Sequence, residues 1–219
     1  MATYHHGDLY TALLGAGEEV LAERGLQGFT MRECARRAGV SHAAPKHHFQ
    51  DVRGFLTAIA ARGFDHLTAT LQSHLAQLDA DADLVAEFHA VICGYLAFAQ
   101  AWPEHFRIMF RSDLLQSDSS ALLGSSSHTF LELTNVVLRQ RSEPELAFGD
   151  SEFVDFTQNL PLVHDIVIAW SHVHGFAHLR LEGQLVMVGA DTEAQILRHV
   201  SQRLSELIQE RSNYADCNE

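Results

Sequence analysis

The side chains best suited to chemistry crowd into one short stretch, FTMRECARRAGVSHAAPKHHF, running from Phe29 to Phe49. It supplies Arg32, Arg36, Arg37 and Lys46 as fixed cations, His42, His47 and His48 as titratable ones, and Thr30 and Ser41 as hydroxyls. Cations, hydroxyls and helix-terminal N–H groups bind phosphate oxygens, while short polar side chains and methyl groups read base edges. The chemistry implied is recognition of duplex DNA. Thr30, Arg32, Ser41, Lys46, His47 and, just beyond, Arg53 are expected at phosphates. His42 and Ala43 are expected at base edges, with Ala43 able to touch a thymine methyl. His48 is expected either at phosphate or bracing the back of the motif, and Arg36 and Arg37 either on a solvated face or in contact with DNA.

Such side chains need elements to aim them. Thr30 is placed to cap a first helix, and Glu33, three residues on, to reach back and close a capping box, with Phe29 and Cys34 as the staple over it. Gly39 provides a left-handed helix end. Ser41 is expected to cap a second helix, His42 to Phe49. Leu9, Leu13, Ala16 and Val20 repeat at helical spacing, so a helix from Leu9 to Arg24, ended by Gly25, packs behind the pair. Two short helices around a glycine turn form a helix-turn-helix, whose second helix can enter a major groove.

Other chemistries find less support. Fifteen histidines raise a metal site, and His174 with His178, one turn apart, near His172 or Asp165, is the best pair; no HExxH motif or cysteine pairing accompanies it, and no metal or cofactor is expected. No G-x-S-x-G elbow is present for a hydrolase. Cys34, Cys93 and Cys217 leave one cysteine unpaired in any disulfide scheme, which suits a reducing cytoplasm. No run of about 18 apolar residues is read in the sequence, so no membrane span is expected.

The net charge of −13 over 219 residues hides an uneven distribution. Residues 1–62 hold seven Lys/Arg against six acids, and the remainder is strongly acidic. A near-neutral head can dock phosphate while an acidic body limits non-specific binding.

Beyond the motif, helical periodicity dominates. Gly54 to Leu78 is read as one helix linking head to body, Asp79 to Asp83 as an acidic loop, Leu84 to Trp102 as a buried helix, and Pro103 to Phe110 as a shorter one. Asp113 to Ser127 is read as a serine-rich surface loop, followed by helices at His128 to Gln140 and Pro161 to Leu181. Gly183 to Ala190 is an isolated strand-like fragment. Thr192 with Gln195 forms a second capping box ahead of the final helix. The fold expected is all-α, with a three-helix head at 1–52, a helical body at 53–211 and a tail at 212–219. Phe88, Tyr95, Trp102, Phe106, Phe110, Phe130 and Trp170 are expected to line a pocket for a largely apolar molecule.

With these residues in view, residues 4 to about 62 closely resemble the N-terminal domain of the tetracycline-repressor family of bacterial transcriptional regulators. FRIMF (Phe106 to Phe110) and AWSHVHGFAHLRLEG (Ala169 to Gly183) resemble a C-terminal subgroup named for a Trp-His-Gly signature, here Trp170, His174 and Gly175. The resemblance implies a cytoplasmic homodimer with its two heads in successive major grooves of a palindromic operator. It also implies a body that binds a small molecule and then moves the heads, with helices near 161–181 and 192–209 forming the dimer bundle. Along those helices Val163, Ile166, Val167, Val173, His174, Ile196, Val200, Leu204 and Leu207 carry the stripes to be buried. Two departures stand out: Lys46 replaces a usual tyrosine and Val52 a usual lysine, both at positions that commonly contact phosphate. The function implied is a repressor relieved by its effector. The rivals are a sensor acting through a protein partner, its head no longer gripping DNA, and more remotely a histidine-based enzyme.

Overall fold

The computed structural model describes residues 6–147 and 159–216; side chains are described for 9–147 and 159–211. Those residues form nine α-helices: α1 (His6–Arg24), α2 (Met31–Arg37), α3 (Ala44–Phe49), α4 (Val52–Leu75), α5 (Leu84–Ala101), α6 (Pro103–Met109), α7 (Ser120–Gln140), α8 (Leu160–Leu181) and α9 (Ala190–Asp216). A 3-10 turn, Leu26–Gly28, joins α1 to α2. The chain divides into two compact units. Met1–Asp65 with Trp102–Ser126 makes the first, and His66–Ala101 with Ser127–Glu219 the second. The expected division at residue 52 therefore differs from the compact units, which part inside α4 and assign α6 to the unit that holds the motif.

The first unit is built on a buried aromatic stack. Phe49, the last residue of α3, lies flat on Phe55 of α4 at 4.0 Å, and Phe29 meets Phe55 edge-on at 5.3 Å. Leu13, Val20 and Leu21 of α1 and Cys34 and Ala35 of α2 are fully buried around them. Gly17 lets α1 pass closely, since a β-carbon there would come within 2.7 Å of the Phe55 ring. Glu18 of α1 accepts from Arg62 of α4 at 3.2 Å and pairs with His105 of α6 at 3.1 Å.

A tighter approach lies at the start of α4. A β-carbon on Gly54 would meet the Phe49 carbonyl oxygen at 2.1 Å. Backbone cannot yield as a flexible side chain can. Gly54→Ala is therefore expected to cost about 1–3 kcal/mol, the range for overpacking, read as a lower urea midpoint; an unchanged midpoint would contradict this packing.

In the second unit α5 is the central helix, packed against α8 and α9. Phe88, Val91, Ile92, Tyr95, Leu96 and Phe98 are buried along it. By length and composition α5 is apolar enough to cross a membrane, but it carries Glu87, His89 and Gln100 and half of it is buried inside the unit, as in a core helix. Gln140, fully buried, closes the unit with polar bonds: its amide donates to the Leu84 carbonyl at 2.7 Å and its oxygen accepts from Ser205 at 2.6 Å. Arg141 and Asp165, both buried, pair at 2.5 Å, and Arg211 reaches the other Asp165 oxygen at 3.1 Å.

Several local expectations change. The serine-rich stretch is helical from Ser120, not a loop to Ser127, because Leu122, Thr129 and Val136 form a buried helical face. Ser126 Oγ donates back to the Leu123 carbonyl at 3.2 Å, the bond that lets serine sit within a helix. Residues 183–189 form turns rather than a strand, with Val188 N–H on the Leu185 carbonyl. Thr192 does not cap α9, because the helix already begins at Ala190 and Glu193 N–H bonds the Gly189 carbonyl. The expected tail, 212–219, is split: α9 runs to Asp216, and residues 217–219 lie outside the described residues.

Candidate nucleic-acid interface

Local sequence explains how α2 and α3 are held. Thr30 Oγ1 accepts from Glu33 N–H at 3.2 Å, so the N-cap forms as expected. At the other end Gly39 adopts φ +67°, Gly39 N–H bonds the Arg36 carbonyl, and Val40 N–H bonds the Ala35 carbonyl. Those two bonds define a Schellman ending, which turns the chain sharply into α3.

The capping box is only half made. Instead of returning to Thr30, the Glu33 carboxylate accepts from Arg36 at 2.6 Å and pairs with Arg24 at 3.0 Å and Arg37 at 3.4 Å. Arg37 also bonds Glu23. Arg36 and Arg37 are thus engaged with carboxylates. The Arg36 hydrogen bond, with help from the Arg24 and Arg36 charges, lowers the Glu33 carboxyl from its ordinary 4.5 to about 2. A carboxyl lowered by folding stabilises the fold above its unfolded value and loses that contribution as pH falls through the folded one. Melting temperatures of the natural chain and Glu33→Gln are therefore expected to differ at pH 7. The gap should close between about pH 4.5 and pH 2; a gap unchanged across that window would contradict the hub.

The second helix starts at Ala44 rather than His42, and Ser41 is not its cap. Pro45 has no N–H to give the Ser41 carbonyl, so the first helical bond expected there cannot form. Ala44 N–H bonds that carbonyl instead, leaving His42 and Ala43 in the turn.

Thr30, Arg32, Ser41, His42, Ala43, Lys46 and His47 are all exposed. Arg32 and Lys46 have no ion pair or side-chain hydrogen bond among the described residues, so both charges face solvent unspent. His48 is half-buried and lies 6.1 Å from the Tyr10 ring, which also packs on Phe49 at 5.1 Å. That contact favours bracing, the second of its two expected roles. Arg53 is otherwise occupied: its Nε and Nη2 donate to the Leu115 carbonyl at 2.9 and 2.5 Å. It ties α4 to the segment after α6, a role invisible without knowing which distant carbonyl would lie beside it. Val52 is 41% exposed.

The expected pocket aromatics separate. Trp102, Phe106 and Phe110 belong to the first unit, where Phe106 and Phe110 meet edge-on and Phe110 also meets Phe64. Phe88 and Tyr95 are buried core of the second. Phe130 is half-buried, and Trp170, 40% exposed, lies edge-on to His174. None lines the cleft of about 320 Å³ in the second unit, formed by α5, α8 and α9 around Cys93, Gln100, Arg180, Glu193 and Leu197. A thiol and an amide on α5 and an ion pair between Arg180 of α8 and Glu193 of α9 gave no aromatic signal to find it by. The Tyr95 hydroxyl is 2.9 Å from His174 Nδ1.

The expected dimer stripes also divide. Ile166, Val173 and Leu204 are buried within their own chain, Val163, His174, Ile196 and Val200 are half-buried, and Val167 and Leu207 are exposed. Leu160, Trp170 and Leu179 add to the apolar surface open on α8. Among the described residues no group of three or more metal-ligating side chains converges.

Comparison with known proteins follows the same two-part layout. Residues 13–59 match the family model for bacterial regulatory proteins of the tetR family, and residues 88–203 match that for the tetracyclin repressor-like C-terminal domain. Among solved structures, a protein with unknown function from Rhodococcus sp. RHA1 is 27% identical with a TM-score of 0.70, covering 96% of this chain and 98% of that one. The fatty acid degradation regulator FadR from Bacillus halodurans shares 12% identity and a TM-score of 0.60, covering 94% and 97%. A TetR variant from Acinetobacter baumannii AYE, in complex with minocycline, shares 14% and 0.52, covering 98% and 97%. These last two likenesses are of fold. No curated protein matches the chain.

Proposed function

Since the chain belongs to the tetracycline-repressor family of bacterial transcriptional regulators, we propose that it is a homodimeric repressor released from a palindromic operator by a small, largely apolar effector. The observation that carries the DNA reading is the helix pair α2–α3 with Arg32 and Lys46 exposed, and without an ion pair among the described residues, beside His42, Ala43 and His47. Phosphates would take Arg32, Lys46, His47 and the hydroxyls of Thr30 and Ser41. His42 and Ala43, in the turn opening α3, would meet base edges.

Dimerisation is assigned to α8 and α9, whose Val167, Trp170 and Leu207 leave apolar surface open. The Trp170, His174 and Gly175 signature supports assigning the body to the Trp-His-Gly subgroup. Two heads on one dimer must match half-sites one helical turn apart, about 34 Å. An effector preferring one tilt of α4 shifts that separation and so loosens the grip. Support for a small-molecule effector comes from the fold shared with the minocycline-bound TetR variant. The site of action is the bacterial cytoplasm.

The test is a titration of duplex fragments from the organism's own genome over a salt series. Specific binding should weaken steeply with salt, because each neutralised phosphate releases condensed counterions. Indifference to every fragment at low salt would refute the reading.

A further inference from the structure

A thiol and an imidazole stand side by side where α5 meets α9. Cys93 Sγ lies 3.5 Å from Nε2 of His89, one turn earlier on the same helix. Nδ1 of that ring is 3.0 Å from Ser201 Oγ. Ser201 is fully buried, and its one hydroxyl hydrogen goes to the Leu197 carbonyl at 2.8 Å. A hydroxyl already spent in this way can only accept from the imidazole, so Nδ1 carries the ring hydrogen. Nε2 then presents a lone pair to sulfur. Burial and then the Arg198 charge lower the imidazole's pKa, opposed by a backbone hydrogen bond at Leu197.

The pair opens onto a place where a small molecule fits. Cys93 is half-exposed and lines the cleft of about 320 Å³ together with Leu96, Ala97, Gln100, Arg180 and Leu197. That volume lies at the lower end for small-molecule sites. Burial pushes the thiol up while the Arg180 charge opposes it, so the resting pair is a neutral S–H donating to nitrogen. Cys34 offers a contrast within the same chain: it is fully buried and does not line the cleft.

We propose that Cys93 is a covalent modification site for small, soft carbon electrophiles of the α,β-unsaturated carbonyl class, admitted through the α5–α8–α9 cleft, with His89 accepting the thiol proton. Sulfur attacks the β-carbon, forming the S–C bond as the carbon–carbon π bond breaks and its electron pair moves to the carbonyl as an enolate. The thiol proton passes to Nε2, and the resulting imidazolium returns a proton to the α-carbon. Nothing is oxidised or reduced, and the product is a thioether with neutral histidine restored.

The experiment treats the native full-length chain with one equivalent of N-ethylmaleimide and follows each cysteine by peptide mass mapping. Cys93 should label at least about tenfold faster than Cys34. General-base assistance is typically worth 10²–10⁴-fold, so His89→Gln should slow Cys93 by at least about tenfold, with the Cys217 rate unchanged as the reference for reagent dose. Ser201→Ala, which removes the acceptor that orients the ring, should slow Cys93 as well and carries the test if His89→Gln does not fold. Labelling of Cys93 no faster than Cys34, or at the natural rate in the folded variants, would overturn the proposal.

Discussion

The double variant Arg32→Ala, Lys46→Ala is expected to lose operator affinity by at least about 100-fold while keeping its fold. Both side chains are exposed, and neither has an ion pair or side-chain hydrogen bond among the described residues, so alanine removes charge without leaving a buried partner stranded. In a dimer the change removes four cations. Each phosphate contact contributes about 0.9 to the slope of log affinity against log salt, so the slope should fall by roughly four. Hydrogen bonds to charged groups are worth about 1.5–3 kcal/mol each, which makes the 100-fold figure a lower bound. The measurement is fluorescence anisotropy with one duplex at several salt concentrations, beside a melting curve for each protein. Arg36→Ala, whose guanidinium is committed to Glu33, should move the slope far less. Equal effects from Arg36 and from the Arg32–Lys46 pair would show that exposure and freedom from ion pairs do not mark the phosphate contacts.

Phe55→Ala carries the largest expected cost in stability. Phe55 is fully buried, stacked on Phe49, edge-on to Phe29 and pressed against the gap left by Gly17. Truncating a phenylalanine in such a place costs about 3–5 kcal/mol, a large share of the 5–15 kcal/mol available to a typical domain. The aromatic stack also sets where α3 leaves its last turn, so DNA binding should fall with stability. Urea denaturation of Phe55→Ala and Phe55→Leu separates volume from stacking: leucine should recover much of the loss. A cost below about 1 kcal/mol for alanine would mean that the stack does not organise the first unit.

What was legible in advance followed from local rules. Thr30 caps because a hydroxyl lies three residues before a free helical N–H, and Gly39 turns because only glycine enters the left-handed region cheaply. The helices of the body were visible for the same reason, as repeated apolar faces. Less was legible wherever one side chain had to choose among distant partners. Glu33 looked like half of a capping box, yet three arginines outcompete the Thr30 backbone for it. Arg53 looked like a phosphate contact, yet the Leu115 carbonyl, 62 residues on, claims it. Pro45 removed the hydrogen bond on which the expected cap at Ser41 depended. Serine density around 125–127 suggested a loop, while the buried face at Leu122 and Thr129 prevailed. The body aromatics illustrate the general difficulty: burial and ligand lining demand the same residues, and only packing tells Phe88 and Tyr95 in the core from a wall facing a cavity.

The most direct test of two heads held at a fixed separation uses an operator selected from the genome and a copy with five base pairs inserted at its centre. Half a helical turn places the second half-site on the opposite face of the duplex. Affinity for the lengthened operator should fall by about two orders of magnitude or more, toward that of a single half-site. Binding of both duplexes with equal affinity would contradict the account.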